Sequence, residues 1–110
     1  MSRFSDVVER LAGVIEARRG ADPAASWSAR LIADPALAGK KLAEEAVETA
    51  IAAVQRDPAS VAAESADVVY HLLAVLAASG VTLDDVAAVL EAREGRSGVD
   101  EKASRGKPSS

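Results

Sequence analysis

With 110 residues and no cysteine, the chain fits one domain and excludes a disulfide framework or thiolate chemistry. Hydrophobic residues reach 49%, much of it Ala and Val, and aromatics only 3%, a composition that leans towards closely packed helices. The net charge of −4 is uneven: residues 1–94 carry nine basic and fifteen acidic groups, an acidic body that excludes general nucleic-acid binding and suits divalent cations, whereas residues 95–110 carry four basic and two acidic groups.

The first helical pattern covers residues 3–19. Phe4, Val7, Val8, Leu11, Val14 and Ile15 recur at helical spacing, and Gly20 ends it. A loop with an Asp22-Pro23 turn signal leads to a short helical piece capped by Ser26 or Ser28. Asp34-Pro35 reads as an N-cap followed by a first helical proline, opening a long helix to about Gln55, with Gly39 its weak point. Asp57-Pro58 repeats the signal, and that helix should run to Ser79 and stop at Gly80. Thr82 caps a last helix from Leu83 to about Glu94, with Asp85 near a capping-box position and Leu83, Val86, Ala87 and Leu90 as its apolar stripe.

No strand pattern competes, so the expected fold is all-α: a helical bundle with two long antiparallel central helices. The expected domain is residues 1–94, and residues 95–110 read from composition as a basic, flexible tail. A chain this small buries a limited core, which a second copy would complete. The most apolar stretch, residues 68–78, is too short to span a bilayer and contains His71. No signal peptide is visible, so a cytoplasmic location with no membrane partner is expected.

The chemistry-bearing residues lie on the two central helices. Glu45 and Glu48 are three apart and share a helix face; so do Glu64 and Asp67. On the first helix the ordinary reading is a solvated face, with Glu44 and Glu45 paired to Lys40 and Lys41. On the second, Glu64 and Asp67 are the only charges between Asp57 and Thr82, in a helix apolar on all sides that should be buried. Buried carboxylates need positive compensation. That helix has no Lys or Arg, and four carboxylates suit Mg²⁺, with Mn²⁺ as a substitute. Protein-bound Mg²⁺ usually bridges to phosphates, so a phosphate-bearing substrate is expected, with Lys40, Lys41 and the basic tail meeting its remaining charge. A Gly-rich phosphate loop ending in Gly-Lys-Ser/Thr is missing.

These residues resemble a known family. Glu45-Ala46-Val47-Glu48 and Glu64-Ser65-Ala66-Asp67 are similar to the paired Glu-x-x-Glu and Glu-x-x-Asp motifs of the all-α NTP pyrophosphatase group, which includes MazG-like and dimeric dUTPase enzymes. Four further stretches narrow the resemblance to phosphoribosyl-ATP pyrophosphohydrolase. They are Ser26-Trp27-Ser28-Ala29-Arg30-Leu31, Lys41-Leu42-Ala43-Glu44-Glu45, the run from Glu64 through Tyr70-His71 to Leu73, and a tail running from Arg96-Ser97-Gly98 to Glu101-Lys102 and Arg105. Trp27, Ser28 and Ala43 depart from the family's usual Tyr, Thr and Gly.

The resemblance implies Mg²⁺-dependent hydrolysis of phosphoribosyl-ATP to phosphoribosyl-AMP and pyrophosphate, in histidine biosynthesis, by a helical homodimer. It implies Glu45, Glu48, Glu64 and Asp67 as metal ligands, Glu44 and Glu45 as catalytic candidates, and Lys41, Trp27, Arg96, Lys102 and Arg105 as substrate contacts. His71 and Tyr70 read more readily as satisfied core residues, and Trp27 equally as a base-stacking or a gap-filling ring. The chain lacks the length and the Cys and His residues for a fused zinc cyclohydrolase. The alternatives are a related NTP or dUTP pyrophosphatase and a non-catalytic helical dimerisation module.

Overall fold

The computed structural model describes residues 2–95, and among them it has five helices and no strand. They are α1 (Arg3–Glu16), α2 (Trp27–Ala33), α3 (Pro35–Val54), α4 (Pro58–Ser79) and α5 (Leu83–Ala92). Each starts at a side-chain cap. Ser2, Ser26, Asp34, Asp57 and Thr82 accept from the backbone N–H of Ser5, Ala29, Leu37, Ser60 and Asp85, meeting donors that a helix start leaves unpaired. At α5 the cap is reciprocal, since the Asp85 carboxylate accepts from the Thr82 N–H at 2.9 Å.

The sequence expectation of long central helices holds to within a residue. α1 and α5 are shorter than the apolar periodicity suggests, ending at Glu16 and Ala92. The α3–α4 turn has a feature that no glycine announces. Arg56 takes a left-handed φ of 56°, its N–H bonds to the Ala53 carbonyl and the Asp57 N–H to the Ala52 carbonyl, closing a Schellman motif. Gly80 ends α4 the same way, with φ 70° and a Val81 N–H bond to Leu76.

α3 and α4 form a hairpin and make the most extensive helix pairing, with α2 laid across both and α1 against α4. The fully enclosed centre is small: Leu31, Ala38 and Ala74, flanked by Leu37, Tyr70 and Val75. Small alanines at 38 and 74 let the helices approach, and Leu31 is the one large side chain among these three. Leu31→Ala should therefore lower stability by about 2–5 kcal/mol in a denaturant titration; a loss under about 1 kcal/mol would show that this centre collapses around the gap. Arg19 ties α1 to the hairpin, gripping Glu16 with two nitrogens and donating to the Ala77 carbonyl at 2.7 Å.

Three expectations need correction. α4 was expected to be buried because it is apolar all round; within one chain only His71, Leu73 and Ala74 are. The physical reason is that α3 and short neighbours cannot cover every side of a 22-residue helix. α4 is also, by length and composition, long and apolar enough to cross a membrane, so the stretch of residues 68–78 understated it. Ala, Val and Leu dominate its sequence because it is the central helix of the bundle, and it carries Glu64 and Asp67 at mid-length. In α5, Leu83 and Val86 are half-buried, while Ala87 and Leu90 of the expected stripe are exposed.

Candidate active site

The i, i+3 spacing of Glu45 and Glu48 directs both carboxylates from α3 towards α4, where Glu64 meets them. Ligand-capable oxygens of Glu45, Glu48 and Glu64 all lie within 4.8 Å of one another. Asp67, one turn further along α4, is exposed and stands outside this group of three. Glu64 Oε2 is enclosed and has no hydrogen-bond partner among the described residues. The neighbouring Glu48 carboxylate, then burial, then Glu45 push the Glu64 carboxyl up to about 7. Three acidic groups held together, one with an orphaned oxygen, form a set that a hard cation completes: it would supply the missing partner and relieve the like-charge repulsion.

Glu44, next to the cluster in sequence, turns instead to Lys41, whose Nζ lies 3.4 Å from its carboxylate. Only half of the ordinary pairing read for α3 therefore forms: Lys41 takes Glu44, and Glu45 faces Glu64.

Lys41 also connects the cluster to α2. Its Nζ lies 5.9 Å from the Trp27 ring centre, and the Arg30 guanidinium lies 5.6 Å from the same ring. Trp27 is 40% exposed and its indole N–H reaches the buried His71, so the ring is partly packed and partly open to solvent. The sequence reading did not single out Arg30; its signal was the spacing of three residues from Trp27 on a helix.

His71 is the polar residue of the core, 8% exposed. Its Nδ1 lies 2.8 Å from the Asp67 carbonyl, which can only accept, so Nδ1 carries the proton. The bare Nε2 then accepts a long 3.5 Å bond from the Trp27 indole N–H. Tyr70 shares a short hydrogen bond with the Ser28 hydroxyl. Both side chains are satisfied core residues, as expected, and together they pin the first turn of α2 onto α4.

A groove of about 620 Å³ between α1, the end of α4 and the start of α5 contains none of the clustered carboxylates. The Glu16 that lines it is engaged by Arg19. The clustered carboxylates therefore lie on the α3–α4 hairpin and not in this groove.

Residues 8–94 match the family model described as phosphoribosyl-ATP pyrophosphohydrolase. The chain belongs to the phosphoribosyl-ATP pyrophosphohydrolase family. Relatives named phosphoribosyl-ATP pyrophosphatase include one from Caulobacter vibrioides, 64% identical over 103 residues that cover 94% of this chain and 96% of the relative. Another, from a second Caulobacter strain, is 59% identical over 105 residues, covering 96% and 98%. One from Cereibacter sphaeroides is 59% identical over 101 residues, covering 91% and 98%. The family match embraces the whole carboxylate cluster, Lys41, Trp27 and Arg30. The expected contacts Arg96, Lys102 and Arg105 lie outside both the match and the described residues.

Proposed function

We propose that this chain is a Mg²⁺-dependent phosphoribosyl-ATP diphosphatase that hydrolyses phosphoribosyl-ATP to phosphoribosyl-AMP and pyrophosphate, the second step of histidine biosynthesis. The observation that carries the reading is the convergence of Glu45, Glu48 and Glu64 within 4.8 Å in a chain of this family. Those three residues would hold the metal, with Asp67 one turn along α4 as a fourth carboxylate within the family motif. Mn²⁺ offers the same preference for oxygen ligands. Bound there, the cation would neutralise phosphate oxygens and lower the pKa of a water.

The chain's own residues do the rest. Lys41 presents a positive charge next to Glu44 and can leave it for a phosphate oxygen, since the pair is half-exposed and weakly held. Glu44, freed from Lys41, is then a carboxylate able to orient or deprotonate the attacking water. Trp27 offers an exposed aromatic ring one side chain away from the phosphates. Arg96, Lys102 and Arg105 belong to the same reading as cations that meet phosphate.

The active form is a homodimer. Val47, Ile51 and Val54 recur at i, i+4 and i+7 on the side of α3 away from α4 and are 59%, 50% and 83% exposed. Phe4 and Val14 of α1 are also largely exposed. Apolar faces of this extent mark association surfaces.

Incubating the full chain with phosphoribosyl-ATP and Mg²⁺ should release pyrophosphate, with ATP and dUTP left intact and activity abolished by chelation. Cleavage of dUTP or ATP in place of phosphoribosyl-ATP would select the related nucleotide pyrophosphatase reading. Absence of turnover and of any Mg²⁺-dependent rise in melting temperature would leave a helical dimerisation module.

A further inference from the structure

Lys41, paired with Glu44 next to the cluster in sequence, can serve the triphosphate; Arg30 lies against the same Trp27 ring that Lys41 approaches. Glu64 and His71 are seven residues apart on α4, about 10 Å along the helix axis. At the far end of that interval His71 accepts from the Trp27 indole, and the Arg30 guanidinium lies 5.6 Å from the centre of that ring. Arg30 is exposed and makes no ion pair with a carboxylate among the described residues. Its guanidinium is held by the indole while its forked donors remain available, a preorganised arrangement for a phosphate monoester.

The substrate class of the proposed reaction carries two anionic ends. The triphosphate must lie at the carboxylates, where the α–β anhydride is cleaved. The γ-phosphate, one anhydride link from the β-phosphate, stays near that end. The remaining anion is the monoester on the second ribose, separated from the triphosphate by a sugar, a purine and another sugar. With Lys41 serving the triphosphate, Arg30, on the same indole and with no carboxylate partner among the described residues, is the cation left for this group.

We propose that Arg30, steadied by the Trp27 ring, binds the monoester phosphate of the phosphoribosyl arm and thereby selects the N1-ribosylated nucleotide over a plain adenine nucleotide. This rests on the phosphoribosyl-ATP reading above. The roles of His71 and Tyr70 follow from it: through Trp27 and Ser28 they position the first turn of α2 on α4.

The test compares two ligands that differ only in that arm, phosphoribosyl-AMP and AMP, by calorimetry on the full chain with Mg²⁺, beside steady-state kinetics with phosphoribosyl-ATP. The native protein should bind phosphoribosyl-AMP more tightly than AMP. Arg30→Met should weaken phosphoribosyl-AMP by about 10- to 100-fold, the loss of a charge-assisted pair of hydrogen bonds, and leave AMP within about twofold. The KM for phosphoribosyl-ATP should rise in parallel while kcat stays within about threefold, because the arm is remote from the bond that breaks. Arg30→Lys should recover part of the affinity, retaining charge without the fork. Equal losses for both ligands, or none, would overturn the assignment, as would a native protein that does not distinguish them. Failure of the native chain to release pyrophosphate from phosphoribosyl-ATP would instead remove the reading on which it rests.

Discussion

Glu64→Gln should lower pyrophosphate release on the order of 10³-fold while raising the melting temperature of the metal-free protein above pH 7. The opposite signs arise from one geometry. Glu64 is the carboxylate that α4 brings against Glu45 and Glu48, and the amide removes an anionic ligand from that set. The same change removes a like-charge clash and lets an N–H donate to the α3 carboxylates. The pH dependence has a defined direction. The Glu64 carboxyl is raised from 4.5 to about 7 in the folded chain, Glu48 being the largest cause. A raised carboxyl favours the folded state fully below pH 4.5, and that contribution is lost as pH climbs through about 7. Metal-free native protein should therefore melt progressively lower between pH 4.5 and 7, and the variant should not show this decline. Mg²⁺ has to displace the Glu64 proton below pH 7, so its affinity for the native chain should weaken as pH falls. Differential scanning fluorimetry across pH, with and without Mg²⁺, measures both effects. Full activity in the variant, or parallel melting curves for both proteins, would remove Glu64 from the metal set.

Ile51→Asp should convert a dimer to a monomer, weakening self-association by at least about 100-fold in sedimentation equilibrium. Ile51 is the middle of the Val47–Ile51–Val54 stripe and is half exposed in one chain. In a two-fold symmetric interface the substitution occurs on both sides, so each contact receives two buried charges. Folding of the single chain should be little affected, because Ile51 points away from the α3–α4 seam where Ala52 is buried. Circular dichroism should report unchanged helicity, and the fall in activity measures how far the site depends on the second copy. A variant that remains dimeric would move the interface to the apolar side of α1, where Phe4→Asp would be the decisive substitution.

The family motifs were legible because they are short-range: a carboxylate pair three apart on a helix shares a face whatever packs against it. The helix limits were legible for the same reason. Asp34-Pro35, Asp57-Pro58 and Thr82 with Asp85 each combine a cap and a start within four residues, and local hydrogen bonding decides them. Non-local distances were not legible. Nothing in the spacing of residues 45, 48, 64 and 67 says that three carboxylates gather within 4.8 Å while Asp67 stands apart; the register of the hairpin decides it, through the left-handed Arg56 turn and the close packing at Ala38 and Ala74. The Lys41 contact with Trp27 likewise needed the packing of α2 against α3, whereas Arg30 lies on the ring's own helix. Amino-acid order alone determined the five helices, their caps and the acidic groups able to meet a metal. Tertiary structure alone decided which oxygens converge, that α4 is incompletely covered within one chain, and that Lys41 of α3 reaches the Trp27 ring of α2. Those outcomes depend on contacts between residues distant in the chain, which no local pattern encodes.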